Sequence, residues 1–360
     1  MASEKQISVG GMKIGGGAPV SIQSMTITKT SDVRKTVAQI NRLAKSGCDI
    51  VRVAIPDKAS AAAIGEIKKL INVPLVADIH FDYRLAVLAA EAGADKLRIN
   101  PGNIGGEGNV REVAEICSKK SIPIRVGVNG GSISKALVAK HGGVTPEALY
   151  ESAIENILLL NSFGFDDICV SVKTSNVMLT IAAYKLLSAR TAYPLHIGVT
   201  EAGTEYMGTI KSSIGIGALL AEGVGDTIRV SLTGQPEREV EAALAILRAL
   251  GLREGHELIS CPTCGRCGID LIPIAQEVER RLTVMQSGGG AAPRNGRGIT
   301  VAVMGCAVNG PGEASRADYG IAGGDGEGIL FKKGEVIKKV HMDRLIDELF
   351  SIIESEEDTD

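Results

Sequence analysis

Short β-branched runs alternate with amphipathic segments over the first 250 or so residues of the chain. The runs predict eight strands: Val20–Met25, Ile50–Ala54, Leu75–Ile79, Lys96–Ile99, Ile124–Val128, Ile168–Val172, Leu195–Val199 and Thr227–Val230. The helical spacing between them predicts helices that include Asp32–Ser46, Asp82–Ala92, Pro146–Phe163, Asn176–Arg190 and Glu237–Leu250. Asp32 and Ser175 stand where N-caps are expected.

Eight strand–helix units in this length predict a TIM (β/α)8 barrel. The alternative is an open doubly wound sheet, which more often has fewer strands and a glycine-rich phosphate turn after its first strand. Here the glycine-rich segment 10–17 precedes the first strand, which indicates a turn and favours the barrel.

The pattern changes after residue 250. It predicts a helix at Ile269–Leu282, a flexible loop at Gln286–Arg297, and a strand at Ile299–Met304 that leads to Cys306. A glycine-rich hairpin at 321–328, a strand at Ile329–Lys332, a helix at Met342–Ile353 and a frayed acidic tail at Glu354–Asp360 complete the prediction. We therefore expect two domains: an α/β TIM barrel over residues 1–254 and a small α+β domain over residues 255–360.

The composition excludes several classes of protein. Of 360 residues, 44% are hydrophobic and 22% are charged, so the chain can bury a large core. A net charge of −3 gives no support for nucleic-acid or membrane-surface binding. The first residues show neither the basic nor the apolar region of a signal peptide, and we expect a cytoplasmic protein. Seven cysteines in a reducing compartment favour metal or redox chemistry over disulfides.

Polar residues gather where the predicted barrel strands end, which is the face that carries chemistry in TIM barrels. These candidates are Arg52, Asp78, His80, Arg98, Asn100, Arg125, Asn129, Lys173, Glu201, Lys211, Arg229 and Ser231. Several cations and two amides directed into one mouth suit a polyanion such as a diphosphate, since arginine binds phosphate oxygens bidentately. Any one of these arginines could instead be a rim charge. Asp78 and Glu201 could transfer protons, or they could hold the cations in place.

Four cysteines form the second candidate site. Cys261, Cys264 and Cys267 follow the spacing C-x2-C-x2-C, and Cys306 follows 39 residues later in another loop rich in glycine and proline. Four thiolates could hold a structural zinc ion, but three thiols within seven residues are closer to ferredoxin spacing. The other three cysteines, Cys48, Cys117 and Cys169, lack partners at ligand spacing and are expected to be small buried hydrophobes.

Several motifs together resemble the hydroxymethylbutenyl diphosphate synthase family in its two-domain bacterial form. They are Gln23-Ser-Met-Thr, Val51-Arg-Val, Ala77-Asp-Ile-His-Phe, Leu97-Arg-Ile-Asn-Pro-Gly-Asn, Arg125-Val-Gly-Val-Asn, Gly208-Thr-Ile-Lys-Ser-Ser-Ile-Gly, Cys261-Pro-Thr-Cys-Gly-Arg and Val303-Met-Gly-Cys-Ala-Val-Asn-Gly-Pro-Gly-Glu-Ala. They cover nearly the whole chain, and the segment from Cys306 to Glu313 is especially specific.

The resemblance implies a [4Fe-4S] cluster held by Cys261, Cys264, Cys306 and the carboxylate of Glu313. It implies reductive ring opening of the cyclic diphosphate of methylerythritol, with electrons from ferredoxin or flavodoxin. Arg52, Arg98, Asn100, Arg125, Asn129 and Lys211 would bind the diphosphate; Asp78, His80, Glu201, Arg229 and Ser231 would complete the pocket, and Glu313 would also handle protons.

The resemblance further implies a head-to-tail homodimer in which each cluster domain caps the partner's barrel. The linker Gly251–Glu257 spans at most roughly 25 Å when extended, too little for a fold-back from the bottom of the barrel to its mouth. Two segments depart from the family pattern. Thr26–Thr30 lacks the expected Asn and Asp, and Cys267 replaces a residue that is often Thr. We expect Cys267 to turn away from the cluster and to play no part in it. The alternatives are a barrel enzyme with a structural zinc ion, acting on another phosphorylated substrate, and a non-catalytic cluster or iron-storage protein.

Overall fold

The chain divides into two compact units, Met1–Leu252 and Arg253–Asp360. The computed structural model describes residues 3–287, 298–306, 312, 314–324 and 326–357. Within these residues no helix has both the length and the apolar character that crossing a membrane requires.

The first unit begins with an antiparallel hairpin of β1 (Gln6–Val9) and β2 (Met12–Gly15). Its two-residue turn places Gly10 and Gly11 at φ +55° and +90°, which only glycine adopts at little cost. The predicted turn in this segment is therefore confirmed, although most of the rest of the segment is a strand.

Eight parallel strands follow. They are β3 (Ser21–Met25), β4 (Ile50–Ala54), β5 (Leu75–Asp78), β6 (Lys96–Ile99), β7 (Ile124–Asn129), β8 (Ile168–Lys173), β9 (His196–Ile197) and β10 (Thr227–Ile228). Their order in the sheet is β8-β7-β6-β5-β4-β3-β10-β9. A parallel bridge between Val170 and Leu195 joins β8 to the start of β9, so the sheet closes into the predicted barrel.

The helices of this unit cover the outside of the barrel. They are α1 (Val33–Lys45), α2 (Lys58–Lys69), α3 (Tyr83–Glu91), α4 (Glu107–Lys120), α5 (Lys135–His141), α6 (Pro146–Ser162), α7 (Val177–Ser188), α8 (Glu205–Ala221) and α9 (Pro236–Ala249). Outward strand residues such as Val51, Leu97 and Val126 pack against them in one continuous buried core. Because side chains alternate along a strand, the residues between these apolar positions face into the barrel.

The N-terminal hairpin supplies an apolar floor to the barrel. Ile7, Val9 and Ile14 of the hairpin form one buried cluster with three strand residues, Ile50, Val76 and Cys169. The polar residues that face into the barrel are therefore shielded from water on this side.

The N-cap predictions have different outcomes. Asp32 caps α1 as expected, because its side chain accepts a hydrogen bond from the Lys35 amide. The prediction for Ser175 is wrong, since Asn176 caps α7 and accepts from the Leu179 amide. The cause is that β8 extends to Lys173, one residue past its predicted end, which moves the start of the helix along the chain.

The second unit is an α+β domain with one five-stranded sheet in the described residues. Its strands are β11 (Glu257–Ser260), β12 (Thr300–Met304), β13 (Tyr319–Gly323), β14 (Glu327–Lys332) and β15 (Glu335–His341), in that order. The first three are parallel to one another, and β13, β14 and β15 form an antiparallel meander. The sheet packs against α10 (Leu271–Ser287) and α11 (Leu345–Glu357).

The predicted hairpin at 321–328 is confirmed by the antiparallel pairing of β13 with β14, whereas β11 and β15 were not predicted. The exposed strand β15 carries charged residues at three of its seven positions, and its apolar residues do not alternate regularly with polar ones as they do in a typical strand. The predicted acidic tail is partly wrong, because residues 354–357 continue α11. Most of the predicted loop Gln286–Arg297 lies outside the described residues.

Candidate functional site

Asp78, the last residue of β5, binds three of the predicted site residues. Its Oδ1 accepts a hydrogen bond from Nη1 of Arg98 at 3.3 Å, and its Oδ2 lies 3.8 Å from Nε of Arg52 and 3.2 Å from Nε2 of His80. Burial would raise the pKa of this carboxyl, but Arg52, His80 and Arg98 together lower it well below its ordinary value. Asp78 is therefore a permanent anion that fixes two arginines in the barrel.

Arg229 is held by a carboxylate that the sequence interpretation did not include. Glu239, in the first turn of α9, is buried and accepts from Nε and Nη2 of Arg229, both at 3.3 Å. The same carboxylate accepts from Ser24 Oγ at 3.0 Å and from the Leu232 amide at 3.1 Å. The one sequence signal is its position: Glu239 shares the buried helix face with Ala243 and Ile246.

Three further cations lie inside the barrel. Lys96, Arg125 and Lys173 are each less than 10% exposed. Burial lowers the pKa of Lys96 to about 8 and that of Arg125 to about 10. The pKa of Lys173 falls well below its usual value because of burial and the neighbouring arginines, Arg125 first among them. Lys96 shares a strand face with Arg98 and Asn100, a signal in the alternation that the sequence interpretation did not use.

Several buried polar atoms in the barrel have no hydrogen-bond partner among the described residues. They are Nζ of Lys96, Nε and Nη1 of Arg125, Nε2 of His196 and the side-chain amide of Gln23. Buried polar groups almost always find partners, because an unmade hydrogen bond costs about 1–3 kcal/mol. These groups thus indicate a ligand or ordered water inside the barrel.

Glycines make room for these long side chains. A Cβ on Gly127 in β7 would lie 2.6 Å from Nε of Arg98, and one on Gly198 would lie 2.9 Å from Nζ of Lys173. Both distances are too short for a real Cβ, so no larger residue fits at either position without moving a cation. The glycines therefore belong to the site although they carry no side chain.

The mouth of the barrel contains the predicted amides and Glu201. Asn100 is buried and accepts from the Gly102 amide, while Asn129 starts the turn after β7. Asn129 and Glu201 line one cavity of about 250 Å³ at the strand ends. Glu201 is exposed and has φ +52°, a left-handed conformation that costs energy for a residue other than glycine and often marks a functional position.

The remaining predicted residues have few or no contacts with the charged residues described above. His80 contacts Asp78, but its side chain is 55% exposed. Lys211 is half-buried in the second turn of α8, and Ser231 follows β10. Among the described residues, no hydrogen bond or ion pair joins Lys211 or Ser231 to the barrel cations.

The barrel interior carries a large excess of positive charge. In the described structure six cationic side chains, Arg52, Lys96, Arg98, Arg125, Lys173 and Arg229, face the ion-paired carboxylates of only Asp78 and Glu239. Like charges in a site shielded from water repel strongly, and an anion of two or more charges would offset this repulsion. The arrangement is therefore suited to a diphosphate.

The thiol loops of the second unit bring two sulfurs together beside Gly305. A Cβ on Gly305 would collide with Sγ of Cys267 and lie 3.6 Å from Sγ of Cys261. Cys264 is exposed, and Cys306 is half-buried at the end of the segment that follows β12. The expectation that the chain turns into the helix at Cys267 is wrong, because α10 begins only at Leu271 and Cys267 lies in the turn before it. That Cys267 plays no part in the cluster stays a prediction.

No group of three His, Cys, Asp or Glu side chains in the described residues is close enough to hold a metal ion. Glu313 lies outside the described residues. The chemistry of the donors still fits an iron–sulfur cluster: soft thiolates come from two loops, and the lack of a Cβ on Gly305 leaves room for the sulfurs of Cys261 and Cys267 beside it. Cys48, Cys117 and Cys169 are buried, as expected.

Comparison with known proteins matches both units. The GcpE TIM-barrel domain family matches residues 4–244, and the GcpE protein C-terminal domain family matches residues 257–355. The barrel also resembles solved structures at 12–14% identity: a dihydropteroate synthase from Stenotrophomonas maltophilia and a type I 3-dehydroquinate dehydratase from Clostridium difficile, each with TM-score 0.50. These cover 68% of this chain and 97% of the other, and they support the fold alone.

Similar proteins extend over nearly the whole chain. Two of them, from Caldanaerobacter subterraneus subsp. tengcongensis and Clostridium perfringens, are called 4-hydroxy-3-methylbut-2-en-1-yl diphosphate synthase (flavodoxin). They are 58% and 56% identical over 97% and 98% of this chain, and over 96% and 98% of their own lengths. The chain therefore belongs to the 4-hydroxy-3-methylbut-2-en-1-yl diphosphate synthase family.

Proposed function

We propose that this protein catalyses the reductive ring opening of 2-C-methyl-D-erythritol 2,4-cyclodiphosphate to 4-hydroxy-3-methylbut-2-enyl diphosphate. Two electrons enter one at a time, a ring C–O bond breaks, and a hydroxyl group leaves as water. The product is a precursor of isoprenoids. The full-length relatives carry the name of this reaction's product, and the barrel has the charge that its diphosphate requires.

The observation that carries the proposal is the set of buried cations with unused donors. Arg98 and Arg52 are oriented by Asp78, and Arg125 has two guanidinium nitrogens without a partner in the described structure. A diphosphate accepts hydrogen bonds from such donors and neutralises the charge surplus. We assign substrate binding to Arg52, Arg98, Asn100, Arg125, Asn129, Lys211, Arg229 and Ser231, and we add Lys173.

Protons are the second requirement of the reaction, since the leaving hydroxyl departs as water. His80 is exposed at the mouth and hydrogen-bonded to the anionic Asp78, which positions it to hold a proton there. Glu201 lines the mouth cavity in its left-handed conformation. We assign proton handling to His80, Glu201 and Glu313, and a positioning role to Asp78.

We propose that Cys261, Cys264, Cys306 and Glu313 hold a [4Fe-4S] cluster, in line with the thiol spacing and with thiols that come from two loops. When bound, such a cluster supplies single electrons to the substrate. An oxygen ligand binds iron less firmly than a thiolate does, so Glu313 would leave one position exchangeable. Flavodoxin, which the names of the relatives contain, is the proposed electron donor. A cytoplasmic location belongs to the same proposal, since free thiols persist in a reducing compartment.

We further propose that the active assembly is a head-to-tail homodimer. Helices of a TIM barrel run antiparallel to its strands, so α9 ends at the face opposite the mouth. Only residues 250–256 separate the end of α9 from the start of β11. These seven residues span at most roughly 25 Å. A partner's second unit could reach the mouth without this restriction.

Anaerobic purification tests the function directly. We expect a brown protein that contains iron and sulfide and converts the cyclic diphosphate in the presence of a chemical reductant. Arg98→Ala should keep the visible absorbance and lose at least 90% of turnover, since it removes a cation that Asp78 positions. Full activity in iron-free protein would contradict the proposal, and a colourless active protein would favour the zinc alternative. A cluster-containing protein that binds no diphosphate would favour an electron-transfer or storage role.

A further inference from the structure

We propose that Cys261 and Cys267 form a reversible disulfide in the cluster-free protein. This makes Cys267, which the family resemblance left without a role, a modification site that controls access to one of the proposed cluster ligands. The cross-link requires neither iron nor substrate. Its failure would therefore leave the proposed reaction untouched, and the two can be tested apart.

The position of the two sulfurs carries the proposal. Both sulfurs lie beside Gly305: a Cβ built on this residue would collide with Sγ of Cys267 and lie 3.6 Å from Sγ of Cys261. The glycine thus leaves room for both thiols on one side of the segment after β12. Both cysteines also pack against the hydrophobic core of the second unit and are half-buried, so each sulfur is held against the protein and stays within reach of a small disulfide.

Hydrogen bonds hold the two loops in this arrangement. The amide of Gly305 donates to Sγ of Cys261 at 3.2 Å, and the amide of Gly268 donates to the Gly305 carbonyl at 2.9 Å. The turn that carries Cys267 is closed by its own amide, which donates to the carbonyl of Cys264 at 3.0 Å. The pair is therefore preorganised, which raises the effective concentration of one thiol at the other.

Other cysteines are less suited to this pairing. Cys264 is exposed, while Cys48, Cys117 and Cys169 are buried in the first unit. Since the described residues contain no cluster of three potential metal ligands, Cys261 and Cys267 form a pair and not part of a preformed four-thiol site. The spacing alone would suggest Cys261 with Cys264 or Cys264 with Cys267 equally well.

The chemistry is thiol–disulfide exchange with a low-molecular-weight disulfide such as glutathione disulfide. The thiolate of one cysteine attacks the small disulfide, forms a mixed disulfide and releases one small thiol. The second cysteine thiolate then attacks the protein-bound sulfur, forms the Cys261–Cys267 bond and releases the second small thiol. The small disulfide is reduced by two electrons, and each released thiolate takes up one proton.

The bond would protect both sulfurs from irreversible oxidation and withhold Cys261 from cluster assembly until a dithiol reduces it. The full-length cluster-free protein tests this, after chelation of iron and treatment with glutathione disulfide. Trypsin separates the cysteines, because cleavage at Arg253, Arg266 and Arg280 leaves Cys261 and Cys264 in one peptide and Cys267 in the next. We expect mass spectrometry to find these two peptides joined, and dithiothreitol to separate them.

Single variants identify the partner. Cys264→Ser should retain the cross-linked peptides at the wild-type level, whereas Cys261→Ser should lower their yield at least tenfold. Cys267→Ser should abolish them and leave folding unchanged, as far-ultraviolet circular dichroism can confirm. Wild-type protein oxidised in guanidinium chloride should lose the preference for Cys261, since unfolding removes the shared position at Gly305.

The proposal would be overturned by cross-linked peptides that persist in Cys261→Ser and vanish in Cys264→Ser. Dominant linkage of Cys267 to the peptide that contains Cys306 would overturn it as well. So would a folded wild-type protein that retains the Cys267 thiol after the small disulfide has oxidised the other accessible thiols.

Discussion

The charged side chains in the barrel differ in their ion-pair partners, and these partners decide how each side chain affects the stability of the protein. Asp78 is shared by Arg52, Arg98 and His80, and Glu239 binds Arg229 through two hydrogen bonds. These pairs orient their guanidinium groups before any substrate arrives. Lys96 is instead buried without a carboxylate partner in the described structure, so it reduces stability in the absence of a ligand.

The variant Asp78→Asn should destabilise the substrate-free protein. Removal of one partner of a buried ion pair leaves its cations uncompensated, and we expect a loss of about 3 kcal/mol at pH 7. Because the folded pKa of Asp78 is lowered, its contribution is complete above its ordinary value of 3.8 and is lost progressively as the pH falls from 3.8 towards the lowered folded pKa. In denaturant unfolding, wild type and variant should thus differ equally from pH 5 to 8, and the difference should begin to shrink below about pH 4.

The matched control for this variant is the exposed pair of Glu241 and Arg238. Glu241→Gln should change the free energy of unfolding by less than about 0.5 kcal/mol, because water screens a surface ion pair. A difference between wild type and Asp78→Asn that stayed constant down to pH 3 would show that the carboxylate charge is not what stabilises the barrel.

The variant Lys96→Met should have the opposite effect and stabilise the substrate-free protein. Burial lowers the pKa of Lys96 from 10.5 to about 8, which corresponds to a penalty of about 3 kcal/mol when the lysine is charged. A lowered pKa means that the unfolded state binds the proton more tightly. The penalty is therefore complete below pH 8 and disappears as the pH rises to 10.5.

Unfolding of Lys96→Met and wild type at pH 7, 8, 9 and 10 checks this prediction. The advantage of the variant should shrink over the last two steps, while the exposed control Lys69→Met should show no such trend. Equal stability of Lys96→Met and wild type at pH 7 would contradict the prediction.

At the scale of elements, the strands place the cations and the anion Asp78, and a helix supplies the second anion, Glu239. Alternation sends Arg52, Arg98 and Arg125 into the barrel, while Glu239 reaches Arg229 from the first turn of α9. Gly127 in β7 and Gly198 after β9 leave space for the cationic side chains of neighbouring strands.

The variant Gly127→Ala tests the role of a strand glycine. Its Cβ would lie 2.6 Å from Nε of Arg98, so the arginine must move away from Asp78 or β7 must shift. We expect about tenfold weaker binding of inorganic diphosphate by calorimetry, or about 1.4 kcal/mol. Gly217→Ala in α8 is the control, since a Cβ there meets nothing within 4 Å and should leave binding unchanged. Unaltered affinity in Gly127→Ala would mean that the position of Arg98 does not determine diphosphate binding.

At the scale of the whole molecule, the two units bring different chemistry. The first concentrates positive charge inside a closed barrel with an apolar floor, and the second carries the thiol loops. The proposed reaction requires both the barrel and the thiol loops. In the proposed head-to-tail dimer, the barrel and the thiol loops of one active site come from different chains.

Complementation tests the dimer. A heterodimer of Arg98→Ala and Cys306→Ser chains, isolated with two affinity tags, has one intact barrel and one intact thiol site on opposite chains. If each site is formed between chains, this heterodimer should show about half the wild-type activity, while each homodimer is inactive. An inactive heterodimer, or an active wild-type protein whose sedimentation mass is that of one chain, would place the complete site within a single chain.

The sequence alone determined the features that depend on neighbouring residues. The alternation of β-branched runs with amphipathic segments located all eight barrel strands to within a few residues. The N-cap at Asp32 followed from local hydrogen bonding, and the cysteine spacing marked the thiol loops. The motif resemblance then gave the family, which the full-length relatives confirm.

Only the tertiary structure decided which distant side chains meet. The pairing of Glu239 with Arg229, the isolation of Lys96 and the inward position of Cys267 were not predicted from local pattern. Each depends on strand register and on packing between segments far apart in the chain. A sequence shows which face of an element a residue occupies. The side chain opposite it, and whether its charge is neutralised there, follow only once the barrel closes and the loops fold against the sheet.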